Sequence, residues 1–246
     1  MTRLVVVALA AAALTPPQPR TERAVPFRIG ETLTYEVSWS NYLVAGTAVT
    51  TVKEKKPSFN STAYYIVAEG RTTPLLSKLY PVYYKLDTLV DAYTMLPQRG
   101  SVYTEEGRRH RYRTTLFDRA ARTARFEVEG EAAKDLKVLP NTQDALSTLY
   151  ALRTMSFKSG DRITMPVCDN GSSYRLLIDV GAAERVRTGL GDGSALRLNL
   201  TLFDAHDTPV GRNTAMWLSD DARRLPVKLQ TELPVGSFSL ILRDVR

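Results

Sequence analysis

Histidine, cysteine and carboxylate side chains are the groups in this 246-residue chain that could catalyse a reaction or hold a metal ion. His206 stands in the segment 203–207 (FDAHD), where two aspartates accompany one imidazole. Three such ligands in one flexible loop could contact a metal, but the same residue types are typical of a solvated turn. The sequence contains no HExxH motif, no paired CxxC motifs and no calcium-loop spacing. It therefore predicts no metal site and no cofactor.

Nucleophilic catalysis has equally weak support. A serine hydrolase needs a G-x-S-x-G turn between a strand and a helix. The nearest match, residues 191–195 (GDGSA), lacks the second glycine and lies in a predicted hairpin. Adjacent acids such as Asp220 and Asp221 normally face water in a turn, and the lone Cys168 is interpreted as a small buried apolar residue. We therefore expect no catalytic residues, with a hydrolase of unrecognised type as the alternative.

The densest positive charge lies between residues 108 and 125 of a chain whose formal net charge is +7. In an extended strand Arg109, Arg111 and Arg113 share one face, because alternate side chains point the same way. Such a row could bind phosphates, lipid headgroups or an acidic partner. The alternative is a solvated outer face whose charges discourage edge-to-edge pairing. Because export is predicted below, we expect no nucleic-acid partner, and peripheral contact with an anionic membrane is the better functional interpretation.

An export signal is predicted at the N-terminus. Residues 1–15 (MTRLVVVALAAAALT) combine one arginine, a short apolar stretch and a small-residue cleavage site. We expect a signal peptide over 1–13, a polar leader over 14–25 and a single β-rich domain over 26–246. No cysteine lies near the cleavage site, so the predicted product is periplasmic and not a lipoprotein. No transmembrane segment is expected in the mature chain, since no later apolar run approaches the ~20 residues of a membrane-spanning helix.

Alternation of apolar and polar residues dominates the predicted domain. Leu33, Tyr35, Val37 and Trp39 share one face of the first predicted strand, as in a half-buried sheet. Residues 141–155 are the exception, with apolar side chains at helical spacing and a capping residue at the start. The pattern predicts a mainly β, single-domain protein. We expect about ten or more antiparallel strands in a strongly curved or barrel-like sheet, with one amphipathic helix (141–155) against it.

Three stretches of the sequence resemble a known family. They are residues 26–39 (PFRIGETLTYEVSW) with 45–48 (AGTA), residues 144–153 (DALSTLYALR) and residues 217–227 (WLSDDARRLPV). Through them the chain is similar to the domain-of-unknown-function 3108 family over about residues 26–246. The resemblance implies an exported bacterial β-rich protein of unestablished activity, and it supplies no functional residues. Each stretch also has a structural interpretation, as a strand entry, a helix or a turn between strands.

The predicted strands carry more apolar surface than one short helix can cover. Leu196, Leu198, Leu200 and Leu202 share one face of a late strand. The uncovered part must either pack against a second sheet layer or line a pocket, as in small ligand-binding barrels. The first alternative predicts a structural envelope factor with a packed core. The second predicts a protein that binds a ligand.

We predict the second function, a non-enzymatic carrier of an apolar ligand. The ligand would be a lipid, or the lipid chain of a lipoprotein or other envelope partner. Tyr35 and Trp39 are the predicted apolar contacts. The row of Arg109, Arg111 and Arg113 is predicted to hold an anionic headgroup at the mouth of the pocket.

Overall fold

The computed structural model describes residues 20–40, 43–233 and 236–246, and the predicted signal peptide lies outside these residues. The described part contains fourteen strands and two helices. The strands are β1 (Thr32–Trp39), β2 (Leu43–Ser58), β3 (Ser61–Thr72), β4 (Val82–Asp91), β5 (Pro97–Glu106), β6 (Arg109–Asp118), β7 (Thr123–Val128), β8 (Lys134–Lys137), β9 (Arg162–Asp169), β10 (Ser172–Thr188), β11 (Gly191–Phe203), β12 (Pro209–Ser219), β13 (Pro226–Leu233) and β14 (Gly236–Val245). The helices are α1 (Pro74–Ser77) and α2 (Ala145–Arg153).

All fourteen strands belong to one antiparallel sheet. Strands that follow one another along the chain pair with each other, except β8 and β9, which are the two edges. β1 pairs with β14, so that Leu33 lies opposite Val245 and Trp39 opposite Phe238. The two ends of the domain therefore meet in the middle of the sheet, and the sheet does not close into a barrel.

Helix α2 shows that the sheet is strongly curved. Leu146 belongs to a buried cluster that contains Ile66 of β3 and Val90 of β4. Leu152, further along the helix, belongs to another buried cluster with Leu198 of β11. Since β4 and β11 are far apart in the strand order, the sheet must curl around the helix to reach both ends of it. This confirms the predicted mainly β, barrel-like fold with an amphipathic helix.

The helix is shorter than the predicted segment 141–155, because α2 begins at Ala145 and ends at Arg153. Asp144 caps it: its carboxylate accepts a hydrogen bond from the Ser147 backbone N–H, and the Ser147 hydroxyl accepts one from the Asp144 N–H. The preceding Gln143 instead pairs with Val167 of β9. Helical periodicity cannot reveal a pairing with a distant strand, which explains why the predicted start is too early.

Helix α1 gave no signal in the sequence, because four residues are too few to establish a helical period. Its N-cap is Thr73, whose hydroxyl accepts a hydrogen bond from the backbone N–H of Leu76 at 3.4 Å. None of its residues is buried, so the turn projects from the sheet. Neither α1 nor α2, nor any other helix in the described residues, has the length and apolar composition to cross a membrane.

Strand β11 is packed on both faces. Leu198 belongs to the cluster around α2, whereas Ala195 belongs to a third cluster with Trp217 and Leu242. Residues of opposite parity point to opposite faces of a strand. The third cluster forms where the β10–β11 hairpin folds back on β14, and there the Gly189 N–H donates to the Leu242 carbonyl at 2.8 Å. Part of the apolar surface is thus covered by a second layer made from the same sheet.

The three stretches that carry the family resemblance meet at one buried arginine. Arg153, the last residue of α2, donates two hydrogen bonds of 2.6 and 3.0 Å to the carboxylate of Glu31. It also donates to the backbone carbonyl of Arg223 at 3.2 Å, and its guanidinium lies over the ring of Phe27. The side chain of Arg153 is fully buried. Its contacts join the entry to β1, helix α2 and the β12–β13 turn. We call these residues the Arg153 junction.

Candidate functional site

An apolar groove runs along strands β10 to β13 beyond the end of α2. Its apolar wall includes Leu176, Leu200 and Leu202, with Val210 at the end of the sheet. The groove has a volume of about 1000 Å³. Sites for small ligands usually measure roughly 300–1,000 Å³ and are lined mainly by apolar side chains. The size and the lining therefore suit an elongated apolar ligand.

No residue of α2 lines the groove. Nine helical residues span about 14 Å, whereas the thirteen residues of β11 span about 40 Å. Leu198 packs in the cluster of Leu152 and is fully buried. Leu200 and Leu202 follow on the same face and are only half-buried. They continue the core into a region that the helix does not reach.

Charged side chains surround the outer end of the groove. Arg212 of β12 is exposed and lies opposite Glu232 of β13. Glu232 also accepts a hydrogen bond from the amide of Asn213 at 2.7 Å. Nearby, Arg175 of β10 pairs with Asp207 at 2.6 Å. The groove thus joins an apolar wall to a polar mouth of mixed charge, which matches a ligand with an apolar body and a polar end.

A smaller cavity lies in the gap between the two edges of the sheet, and we call it the edge cavity. Its volume is about 160 Å³, and its wall is formed by β4 to β7, the start of α2 and the end of β9. The wall contains Asp144, Asp169 and the guanidinium of Arg113. Within the described residues, the Ser101 hydroxyl and the Arg113 Nε have no hydrogen-bond partner. At about 160 Å³ this cavity is smaller than the roughly 300–1,000 Å³ of sites for small ligands, so it is too small for an elongated alkyl chain.

Burial dominates the electrostatics of the edge cavity. Desolvation raises the pKa of Asp144 from 3.8 to about 6, although its carboxylate caps α2 and accepts a hydrogen bond from the Thr88 hydroxyl at 2.6 Å. Desolvation also raises the pKa of Asp169. The pKa of the Cys168 thiol rises to about 11 for the same reason, so the thiol is protonated at neutral pH. Cys168 is buried and free, as the sequence predicted.

The three predicted arginines do not line one common site in the structure. Arg109 and Arg111 are exposed on β6, and Arg111 pairs with Glu131 at 2.7 Å. Arg113 lies in the wall of the edge cavity and donates to the side-chain carbonyl of Asn170 at 2.8 Å. None of the three lines the groove of β10 to β13. The arginine at the groove mouth is Arg212, on a different part of the sheet.

The two predicted aromatic contacts also lie apart. Tyr35 is buried and donates its hydroxyl to the backbone carbonyl of Pro226 at 2.9 Å, and burial raises its pKa far above the ordinary value. Trp39 is 41% exposed and stacks on Phe238, with ring centroids 6.4 Å apart. Phe238 pairs with Thr231, which lines the groove. Tyr35 is therefore a core residue, whereas Trp39 lies at the end of the sheet where the groove opens.

The residues first considered for chemistry are engaged in turns. Asp204 accepts hydrogen bonds from the backbone N–H groups of His206 and Thr208, at 2.8 and 2.9 Å. Asp221 accepts in the same way from the N–H groups of Arg223 and Arg224, both at 3.0 Å. In the described part of the chain, no three His, Cys, Asp or Glu side chains are placed to hold a metal ion.

Among the residues of the groove that sequence reasoning missed are Leu176, Val210 and Arg212. Leu176 lies in a predicted strand, and its alternation with Ile178 could have placed it on the apolar face. Val210 reaches the groove because it pairs with Leu202 across β11 and β12. That register depends on the irregularity between Leu200 and Leu202, for which the sequence carries no signal.

The fold and the groove together define a class of protein, a curved open sheet that wraps one helix and leaves an apolar groove beside it. The family described as "Protein of unknown function (DUF3108)" matches residues 34–243, which is most of the chain. The protein therefore belongs to the DUF3108 family, as the three stretches predicted. No curated protein matches the sequence.

The chain is similar to solved structures of low sequence identity. A β-barrel-like protein of domain of unknown function DUF1849 from Brucella abortus is 10% identical, with a TM-score of 0.56, and the match covers 88% of this chain and 97% of that one. A Bacteroides fragilis protein, described provisionally as exported and with a YmcC-like fold, is 12% identical with a TM-score of 0.35; the match covers 92% and 100% of the two chains. A Parabacteroides distasonis protein, described provisionally as a lipoprotein, is 9% identical with a TM-score of 0.37; the match covers 92% and 100%. The first of these supports the barrel-like fold.

Proposed function

We propose that this protein is an exported, non-enzymatic binding protein that holds an elongated apolar ligand in the groove of β10 to β13. The observation that carries the proposal is the half-buried run of Leu200 and Leu202, which extends the core beyond α2 into an open groove of about 1000 Å³. An alkyl chain in contact with these leucines would bury the apolar surface that α2 does not cover. The chain belongs either to a free lipid or to a lipid-modified envelope partner.

The energetics of burial favour an acyl chain over a compact apolar molecule. Each methylene removed from water contributes about 0.8 kcal/mol, so about ten of them contribute about 8 kcal/mol before the cost of ordering the chain. A long, narrow ligand can make this contact along the direction of the strands. The polar mouth at Arg212 and Glu232 would then meet the headgroup. Arg212 takes the role that the sequence analysis gave to the row on β6.

The compartment and the absence of catalysis are parts of the same proposal. The N-terminal sequence supports export to the periplasm with cleavage near Ala13. Asp204 and Asp221 support a non-enzymatic role, because their carboxylates are occupied by backbone N–H groups of turns. A binding protein should lose function gradually as groove residues change. An enzyme should lose it completely at one residue.

The test is uptake of a lipid by the mature protein. Purified protein is titrated with a fluorescent long-chain fatty acid, and gently purified protein is examined by native mass spectrometry with organic extraction. Leu202→Asn should weaken the uptake about tenfold, since it replaces an apolar contact with a polar amide. Thr201→Asn is the matched control, because the neighbouring residue of β11 points to the other face.

The outcomes separate the proposal from its alternatives. Uptake that falls in Leu202→Asn and persists in Thr201→Asn supports the groove. No co-purifying lipid and no uptake by the wild-type protein would overturn the proposal in favour of a packed structural factor. Turnover of an ester-linked lipid that is abolished by a single polar substitution would favour the hydrolase alternative.

A further inference from the structure

One end of the sheet carries a concentration of exposed apolar side chains. Leu75 and Leu79 are 73% and 82% exposed, and Tyr80 is 55% exposed. They lie in or just after α1, on the connection between β3 and β4. The last residue of β1 and the first residues of β2 add further exposed side chains. We call this set the rim surface, and its members are Trp39, Leu43, Val44, Leu75, Leu79 and Tyr80.

The residues of the rim surface come from neighbouring strands and connections. Trp39 and Leu43 are paired where β1 meets β2. The Thr73 N–H donates to the Ala45 carbonyl at 2.9 Å, which holds the α1 connection beside the start of β2. The same connection contacts the β5–β6 hairpin, where Gly107 donates its N–H to the carbonyl of residue 81 at 2.9 Å. These contacts place the apolar side chains at one end of the sheet.

The α1 connection and the adjacent β5–β6 hairpin carry a small excess of positive charge. The segment 72–81 (TTPLLSKLYP) contains Lys78 and no acid, and Arg108 occupies the adjacent hairpin. Neither Lys78 nor Arg108 forms an ion pair within the described residues. The nearby acids Glu105 and Glu106 accept hydrogen bonds from tyrosine hydroxyls but keep their negative charge. Lys78, Arg108 and Arg109 outnumber these two acids by one, and this small positive excess complements an anionic partner.

We infer that the rim surface docks the protein on an anionic phospholipid bilayer. Leu75 and Leu79 enter the boundary between headgroups and acyl chains, and the ring of Tyr80 lies at the level of the headgroups. Lys78 and Arg108 contact the lipid phosphates, and each basic residue near such a surface adds to the attraction. A bilayer fits better than a protein partner, because separate leucines on a projecting helical turn do not form a flat apolar face.

Docking in this orientation would bring the mouth of the groove to the membrane. Phe238 stacks on Trp39 of the rim surface, and it pairs with Thr231, which lines the groove. The groove and the rim surface thus lie at the same end of the sheet. The inference deepens the proposed function by naming the surface that supplies the ligand, and it rests on separate residues.

Vesicle co-sedimentation of the mature protein tests the inference. Vesicles of phosphatidylcholine alone are compared with vesicles that also contain phosphatidylglycerol, at low and at high salt. We expect binding to the anionic vesicles, weakened by salt. The double variant Leu75→Ser with Leu79→Ser should lower the partition coefficient about tenfold, and the double variant Lys78→Glu with Arg108→Glu at least as much. Both pairs are exposed, so the fold should persist.

The matched control lies at the other end of the sheet, where Phe59 and Leu190 are 61% and 51% exposed. The double variant Phe59→Ser with Leu190→Ser should bind vesicles within about twofold of the wild-type protein. Equal losses in this control, equal binding to neutral vesicles, or no binding at all would overturn the inference. Vesicle binding that is unchanged in the rim variants would also overturn the inference. This holds even if the same variants no longer bound a protein partner. The rim variants should still take up fatty acid in the absence of vesicles. The docking inference and the proposed ligand binding can therefore be disproved independently of each other.

Discussion

Strand β11 passes through two environments within four residues. Leu198 lies in the core with Leu152 of α2, whereas Leu202 lies on the same face of the strand and lines an open groove. The two residues have the same side chain and the same strand geometry. They differ in burial: Leu198 is enclosed in the cluster that contains Leu152 of α2, and Leu202 is half-buried beside a groove that no α2 residue lines. The proposed site is therefore defined by its position relative to α2 rather than by an unusual residue type.

The groove also contrasts with the Arg153 junction. The junction joins the three stretches that resemble the family through Glu31, Arg153 and Arg223. Leu200 and Leu202 lie in none of these stretches. The recognisable motifs thus specify the contacts that hold the helix against the sheet, and the proposed ligand contacts lie elsewhere. Stability should depend on the junction, and binding should depend on the groove.

The largest effect on stability is expected at the junction. Arg153→Met leaves the carboxylate of Glu31 buried without its partner, which should lower the free energy of unfolding by about 3–5 kcal/mol. Arg162→Met removes an ion pair to Asp179 whose arginine is 71% exposed, and it should cost less than about 1 kcal/mol. Urea denaturation of both variants measures the difference. Equal losses would show that the junction does not hold the helix to the sheet. If Arg153→Met does not fold, Glu31→Gln tests the same pair.

The next effect separates the two environments of β11. Leu198→Ala should cost about 2–5 kcal/mol, since it opens a cavity in a fully buried cluster. Leu202→Ala should cost less than about 1 kcal/mol, because the groove already exposes this side chain. Thermal or urea unfolding of the two variants gives the comparison. A similar cost at both positions would mean that Leu202 belongs to the core and that the groove is closed in solution.

A smaller effect is expected from Asp144 in the edge cavity. Its folded-state pKa of about 6 exceeds the ordinary 3.8, so between these values the folded state binds more protons than the unfolded state. Stability should fall as the pH rises from about 4 to about 6, by at most about 3 kcal/mol. Asp144→Asn keeps an acceptor for the helix cap and removes the ionisation, so this part of the pH dependence should disappear.

The measurement for Asp144 is urea denaturation at a series of pH values. Asp118→Asn is the control, since Asp118 is the exposed last residue of β6 and its carboxylate accepts a hydrogen bond from the N–H of Ala121 at 2.8 Å. Its pH profile should match that of the wild-type protein. If the Asp144→Asn profile keeps the full slope between pH 4 and pH 6, the burial of Asp144 does not govern the stability in this range.

The sequence predicted local features better than distant contacts. Alternation around Leu33 predicted β1, and helical spacing around Leu149 predicted α2, because each pattern follows from which side of one element is buried. The pairing of β1 with β14 depends on residues about 200 positions apart, such as Trp39 and Phe238. No local pattern encodes it. The sequence could not predict the groove for the same reason, because the position of the groove depends on where α2 lies relative to β11.

The predicted arginine row lies away from the groove. Arg109, Arg111 and Arg113 follow the strand period, but four strands separate β6 from β1, and β13 lies on the other side of β1. The period places side chains on a face and says nothing about which part of the sheet holds a groove. A single exposed arginine, Arg212, reaches the mouth through the register of β12 with β13.

The smallest effect is therefore expected at Arg111. Arg111 and its partner Glu131 are both 55% exposed, so Arg111→Gln should change the free energy of unfolding by less than about 0.5 kcal/mol. Uptake of a fluorescent fatty acid should also stay at the wild-type level, because Arg111 does not line the groove. Arg212→Gln, which makes the same substitution at the groove mouth, should weaken the uptake of an anionic lipid about threefold to tenfold and leave a neutral lipid unaffected. If Arg111→Gln reduced the uptake as much as Arg212→Gln did, the headgroup would be held by the row on β6, and the ligand could not lie in the groove of β10 to β13.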